Sequence, residues 1–523
     1  MTAAGKIGGA VAAGHPETVA AARVVLEDGG NAFDAAMAAM AAACVTEPVL
    51  SSLGGGGFML ARPVDGAPVL YDFFVQTPLT RPDADNCDFF PILCDFGTAQ
   101  QEFHIGMASM ATPGAVRGLF EIARDLGRMP LARVVEPALH LARDGFEMNR
   151  LQAYIFNVVG GIYMSTEASR AIFGSKKEPD RLIGGGERMQ NPDFADALET
   201  LSIEGEDLFY RGEMAAQVDL DCRTGGGTLS RADFENYQLV KRKPLEKWYR
   251  GTRILTNPPP SNGGILIAFA LSLMEEIAVR DLGFGSKDYL EILAEIMALT
   301  NEARIESRLH EVEPREVHDA IFSPDLLARY REGILGHPVA RRGATHISVV
   351  DSEGNAAAMT LSNGEGCGYI LPGTGIMLNN MLGEEDINPH GFHRWPTDRR
   401  MSSMMAPTVL EQKEGSVTAL GSGGSNRIRT AILQVMINLF DFGMNVEDAV
   451  YAPRIHFEGG RLNVEKGFDE DIRRAFAAGF DDAKLWEELN LFFGGVHAVR
   501  LETPSGRLTG AGDPRRGGNA AVL

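Results

Sequence analysis

The chain has 523 residues, 45% apolar and 23% charged, a balance that excludes a disordered or fibrous protein and allows about three domains or one large α/β unit. Acidic residues outnumber basic ones by 70 to 49, for a net charge of −21. A field of that sign repels phosphate backbones and anionic lipid, so neither nucleic acid nor a membrane surface is an expected partner.

Five scattered cysteines (Cys44, Cys87, Cys94, Cys222 and Cys367) form no CxxC pair. They indicate neither a disulfide framework nor a zinc knuckle, and they suit a reducing compartment. The longest apolar runs, 35–45 and 265–274, fall short of the ~18 residues that span a bilayer. The first residues lack the apolar core of a signal peptide. The expectation is a cytoplasmic protein.

Pro16 and Glu17 suit the first turn of a helix, which Gly29-Gly30 ends. Asn31 then caps a second helix, with Asp34 as the other half of a capping box. The Ala-rich run to Val45 lets this helix pack close to another element. Gly54–Gly57 lead into a strand opening at Phe58, and residues 115–145 read as helical with breaks at Gly127 and Pro130. Residues 150–250 mix short elements around the turn Gly225–Gly227. The Pro-rich run 257–264 is a stiff turn before a helix over 265–276, and the charged stretch 326–342 reads as a surface loop. Short β-type runs follow at 346–350, 356–361, 375–378, 408–410 and 416–420, then helices at 429–442 and 447–452. Strands and helices in both halves predict a layered α/β fold.

Gly54–Gly57, Gly364–Gly368 and Gly421–Gly424 look like nucleotide loops, but none completes GxGxxG between strand and helix, and no GxxxxGK[ST] occurs. His390 and His393 could offer two metal ligands, yet no carboxylate-rich helix frames them. No metal or cofactor is expected.

Many landmarks stand in one order: Gly14-His-Pro16, Gly29-Gly-Asn-Ala-Phe-Asp-Ala35, Glu47-Pro48, Gly54-Gly-Gly-Gly-Phe58, Thr112-Pro-Gly114 and Asn257-Pro-Pro-Pro-Ser-Asn-Gly-Gly264. Thr345-His-Ile-Ser-Val-Val-Asp351, Pro372–Asn380, Ser402-Ser403, Gly421–Ser425 and Ala452-Pro-Arg454 complete them. With these the chain resembles, nearly end to end, the γ-glutamyltransferases (γ-glutamyl transpeptidases), which are N-terminal-nucleophile hydrolases. The resemblance implies a four-layer αββα sandwich and a precursor that cuts itself into two associated chains. These would be 1–343 and 344–523, one intertwined unit acting on a small-molecule amide or γ-glutamyl-like substrate. A homo-oligomer is compatible with it.

A Thr hydroxyl is a poor nucleophile without a base, and the α-amino group freed by cleavage supplies one on the same residue. The family's nucleophile is the first residue of a Thr-Thr-His-type motif, which here reads Ala344-Thr345-His346. Ala344 has no hydroxyl, so the chain as it stands is expected neither to cut itself at Gly343–Ala344 nor to form an acyl-enzyme. Thr345 is expected to face away, since strand neighbours point to opposite faces. Ala344 is read either as an introduced Thr→Ala change, the favoured reading, or as the mark of a natural pseudoenzyme that binds without turnover.

Carried over residue by residue, the resemblance places Ser362 where a second Thr holds the nucleophile, and Gly423 and Gly424 at the oxyanion hole. Asn363 falls beside the substrate-contacting Asn, next to a short deletion. Ser402 and Ser403 match the pair that contacts the substrate carboxylate, and Glu384 the acidic residue that takes the α-amino group. Phe74 occupies the position of an Arg that pairs with the α-carboxylate, an ion pair Phe cannot make. An amide with a less polar or differently placed acyl part is therefore expected, the alternative being a γ-glutamyl (glutathione-type) substrate held by another cation.

Overall fold

Alternation along 345–351 and 356–362 dictates strands with two working faces, and both are fully buried. The computed structural model describes residues 7–95, 100–307, 321–322, 343–388 and 391–523. The stretch 326–342, expected as a surface loop, and His390 lie outside these.

The strands that form the two main sheets are, in chain order, β1 (Gly9–Ala13), β2 (Gly56–Arg62), β3 (Val69–Phe73), β4 (Val240–Arg242), β5 (Leu245–Tyr249) and β6 (Thr252–Thr256). After residue 343 come β7 (Thr345–Asp351), β8 (Ala356–Ser362), β9 (Thr408–Glu411), β10 (Val417–Gly423), β11 (Gly495–Glu502), β12 (Arg507–Ala511) and β13 (Asn519–Val522). One sheet runs β13-β1-β7-β8-β2-β3-β4 and the other β12-β11-β10-β9-β6-β5. The sheets stack face to face through β7, β8 and β1 against β10 and β11.

Helices α1 (Pro16–Glu27) and α2 (Ala32–Thr46) lie on the outer face of the seven-stranded sheet. The capping box at Asn31 and Asp34 forms as expected. Every residue of α2 is buried; a helix apolar all round can only be a core element, and its alanines let it approach β7 and β8. Of helices α3 (Gly263–Met274), α4 (Lys287–Glu306) and α5 (Arg427–Phe440), α3 and α5 cover the six-stranded sheet and α4 packs on α3. The result is the expected four-layer αββα sandwich. Ile347 and Val349 of β7 join the core under α1 and α2, whereas Val350 joins the core between the sheets.

Strands from either side of residue 343 interleave. β1 pairs with β13 and β7, and β8 pairs with β2. The two expected chains therefore share one sheet.

Candidate active site

Residue 344 immediately precedes β7, so the period of that strand decides what surrounds it. Thr345 points to the helical side, where its Oγ1 donates to Glu47 Oε2 at 2.8 Å. Burial raises the Glu47 carboxyl to a pKa of about 7. His346 points to the opposite side, under Gly421, where a Cβ would lie 2.3 Å from the imidazole Cε1. Only glycine lets the two sheets close at that point.

The partners of His346 fix its tautomer. Ser348 Oγ donates to the His497 carbonyl at 3.0 Å, so it must accept from His346 Nε2, 2.9 Å away. Nδ1 then accepts from Thr360 Oγ1 at 2.8 Å. Burial drives the His346 pKa well below its ordinary value, so this line carries no charge.

The Gly343–Ala344 peptide sits at the mouth of this line. Ser362 Oγ, at the end of β8, donates to the Gly343 carbonyl at 3.1 Å and accepts from Gly364 N–H at 3.1 Å. Gly343 N–H donates to Glu365 Oε1 at 3.3 Å. The Ala344 carbonyl lies against Gly423, where a Cβ would come within 2.0 Å of its oxygen. Beyond it, Gly424 and Ser425 adopt positive φ values of 124° and 52° and turn the chain into α5. A helix N-terminus presents partial positive charge to whatever is next to it. Gly423 is thus brought to residue 344, while Gly424 lies against Arg516 and Gly494.

Sequence reasoning missed Arg516. Its Nη1 donates to the Ala344 carbonyl at 3.3 Å and its Nη2 to the Leu491 carbonyl at 3.4 Å. Burial lowers its pKa to about 10. The turn that carries it is held by a buried charge cluster: Arg515 pairs with Glu465 at 2.5 Å and Asp513 at 3.1 Å, and Arg454 with Asp513 at 2.7 Å. The one sequence signal was Asp513-Pro-Arg-Arg-Gly517, a basic pair in a turn of an acidic chain.

The remaining expected residues are placed as follows. Asn363 is fully buried next to Ser362, and among the described residues neither its amide nitrogen nor its oxygen has a hydrogen-bond partner. Glu384 is buried, and a Cβ on Gly364 would lie 2.4 Å from its Oε1. Phe74 is 2% exposed and stacks on Phe58 with ring centroids 5.4 Å apart.

A cation does stand beside position 74. Arg400 donates to the Phe74 carbonyl and to Tyr237 Oη, and lies 3.5 Å from Asp72. Ser403 is held by the 257–264 turn: its carbonyl accepts from Ser261 Oγ at 2.9 Å and from Asn262 N–H at 2.7 Å. The half-buried Ser402 adjoins it. The Met401 N–H bond to the Val75 carbonyl, 3.1 Å, ties this segment to that of Phe74. Among the described residues no three His, Cys, Asp or Glu side chains gather as a metal-holding group, and no helix is long and apolar enough to cross a membrane.

Residues 18–523 match the family model described as gamma-glutamyltranspeptidase. The chain is 33% identical to a glutathione hydrolase proenzyme of Escherichia coli (strain K12), over 94% of this chain and 87% of that one. It is 30% identical to an acylase ACY 1 proenzyme of Pseudomonas sp. (strain V22), over 98% and 93%. Its fold is similar to that of a cephalosporin acylase from Bacillus halodurans, with a TM-score of 0.84 over 99% of this chain and 96% of that one, at 24% identity. A gamma-glutamyltranspeptidase of Helicobacter pylori matches at a TM-score of 0.53 over 61% of this chain and 91% of that one, at 25% identity.

Proposed function

Because this chain belongs to the gamma-glutamyltranspeptidase family, we propose that it is the single-chain precursor of an amide-cleaving enzyme in which residue 344 holds the nucleophile position. The observation that carries this reading is the Gly343–Ala344 peptide itself. The Ser362 hydroxyl is bonded to its Gly343 carbonyl, and the carbonyl of the next residue lies against Gly423 and Arg516.

With a Thr at 344 the chemistry follows from these positions. The Thr Oγ attacks the Gly343 carbonyl carbon, and its proton passes to the departing amide nitrogen. The Ser362 O–H stabilises the oxygen as charge develops on it. Water then hydrolyses the ester, leaving a carboxylate on Gly343 and a free α-amino group at 344. That amine is the base that activates the same hydroxyl toward a substrate amide. Deacylation by water, or by an amine, completes turnover. Ala344 removes the attacking atom, so this form of the chain stays uncut.

Phe74 favours an acylase over a glutathione hydrolase. It places a packed aromatic ring where a guanidinium would be needed, and the nearby Arg400 is already engaged by Asp72, Tyr237 and the Phe74 backbone. The unsatisfied Asn363 amide supplies polar groups for a substrate amide.

The test is Ala344→Thr, followed on a denaturing gel with mass analysis of the fragments. The expected result is two chains, the smaller beginning at residue 344. A folded Ala344→Thr protein that stays whole, or that is cut before Thr345, would overturn the reading. The uncut result would favour the alternative reading of Ala344, a natural pseudoenzyme that binds a ligand without turnover.

A further inference from the structure

An open-mouthed cavity borders Gly343 and Arg516. Its walls are Trp486, Phe492, Leu491, Tyr154, Ile155 and Val159. Trp486 and Phe492 stack at 5.0 Å with their planes 19° apart, which makes a rigid aromatic wall. Among the described residues, the charged groups at its lining are Arg516, Arg427 and Glu365. Arg427 is engaged: its Nε donates to the Phe492 carbonyl at 3.2 Å and its guanidinium lies over the Phe492 ring. Glu365 accepts from the Gly343 N–H.

Arg516 differs from both. It is 9% exposed, its two hydrogen bonds go to backbone carbonyls at 3.3 and 3.4 Å, and among the described residues its Nε has no acceptor and no carboxylate forms an ion pair with it. Asp513 and Glu47 act on it only at a distance, and a buried guanidinium with no bonded carboxylate is costly. A carboxylate offered from the cavity would form the short, charge-assisted pair that the protein does not supply.

We propose that this cavity binds the acyl half of the substrate, and that this half is an aryl or branched-alkyl body bearing one carboxylate close to the reacting carbonyl. The inference rests on residue 344 being the reacting position. Gly343 is the acyl half of the 343–344 amide, so a substrate's acyl half enters from its side, and that side opens into the cavity. The aromatic wall takes the body and Arg516 takes the carboxylate. This specificity is separate from position 74: it places the recognising cation at Arg516, beside the Ala344 carbonyl.

Binding can be read on the uncut protein, without turnover. Trp486 is one of three tryptophans, and its fluorescence reports the wall directly, with Trp486→Phe as the control for the signal. The probes are 4-phenylbutyrate, 4-phenylbutyramide and butyrate. The expected result is saturable binding of 4-phenylbutyrate, with the amide and the aryl-free acid each weaker by about tenfold or more. Arg516→Met should weaken 4-phenylbutyrate to the level of the amide. Ile155→Trp, which fills the half-buried wall, should weaken all three probes and guards against misfolding of the arginine variant. Equal affinity for acid and amide, an unchanged Arg516→Met, an unaffected Ile155→Trp, or no saturable binding would each overturn the proposal. Failure of Ala344→Thr to cut the chain would overturn the reacting role of residue 344 and leave this binding result standing on its own.

Discussion

Thr345 donates its hydroxyl proton to Glu47 at 2.8 Å on the side of β7 turned away from Gly423. The neighbouring residue presents its carbonyl to Gly423 itself. One strand thus separates a buried acid–hydroxyl pair from the contact between the Ala344 carbonyl and Gly423.

Thr345→Val leaves Glu47 with Thr18, 3.5 Å away, as its nearest hydroxyl donor. The expected cost is about 1–3 kcal/mol of stability, as for a buried acceptor that loses its donor. Introduced together with Ala344→Thr, it should leave the cut at 343–344 in place. Urea unfolding checks the first statement and fragment masses the second; loss of cutting with an intact fold would assign Thr345 a direct part in it.

How much of this was readable beforehand depends on distance along the chain. The capping of α2 involves Asn31 and Asp34, three residues apart, and was legible. So was the outward turn of Thr345, which needs only the period of a strand. The closeness of residue 344 to Gly423 came from the family resemblance rather than from any local pattern. Arg516 was not legible, because its position depends on Glu465 and Arg454 holding Arg515 and Asp513 across some fifty residues of chain. The tautomer of His346 depends likewise on the His497 carbonyl of the other sheet.

Gly423→Ala would force a Cβ to within 2.0 Å of the Ala344 oxygen. The peptide must shift, and a displacement of about 1 Å can cost roughly 100-fold in rate. In the Ala344→Thr background, cutting should slow by about that factor. Gly160→Ala, where a Cβ meets nothing within 4 Å, is the control and should cut normally. A time course on denaturing gels measures both.

Phe74 is expected to disfavour plain γ-glutamyl donors. In the matured Ala344→Thr enzyme, kcat/KM for a γ-glutamyl anilide should fall about 100-fold or more below that for the best aryl-acyl anilide, the scale of a missing charge partner. Comparable values for the two substrates would show that another group takes the α-carboxylate.

Burial holds His497 neutral with its pKa lowered to about 4. An unfolded histidine takes up a proton near pH 6.5, so the unfolded state binds more protons as pH falls from 6.5 toward 4. Stability is therefore full above that range and declines through it, by about 2 kcal/mol at pH 5 from this residue. Glu47, raised to about 7, acts in the opposite sense, losing its contribution as pH rises through 7. His346 and His15 are also lowered by burial, so the histidines outweigh it. The urea midpoint should be lower at pH 5.0 than at pH 7.5, and His497→Asn, whose side-chain oxygen can still accept from Asp513 N–H, should narrow the gap.

The interleaving of strands from either side of residue 343 gives a cut there a kinetic meaning. Before it, β1 finds β7 and β13 within one chain, and bringing them together is a loop closure whose cost grows only slowly with length. After it, the same pairing joins two molecules, and its rate and equilibrium depend on concentration. The native sheet would survive the cut with its pairings intact, but a denatured, cut protein at high dilution would have to find its other half before any central strand could pair. Folding first and cutting second is then the only order in which a single gene product reaches this sheet without a bimolecular search.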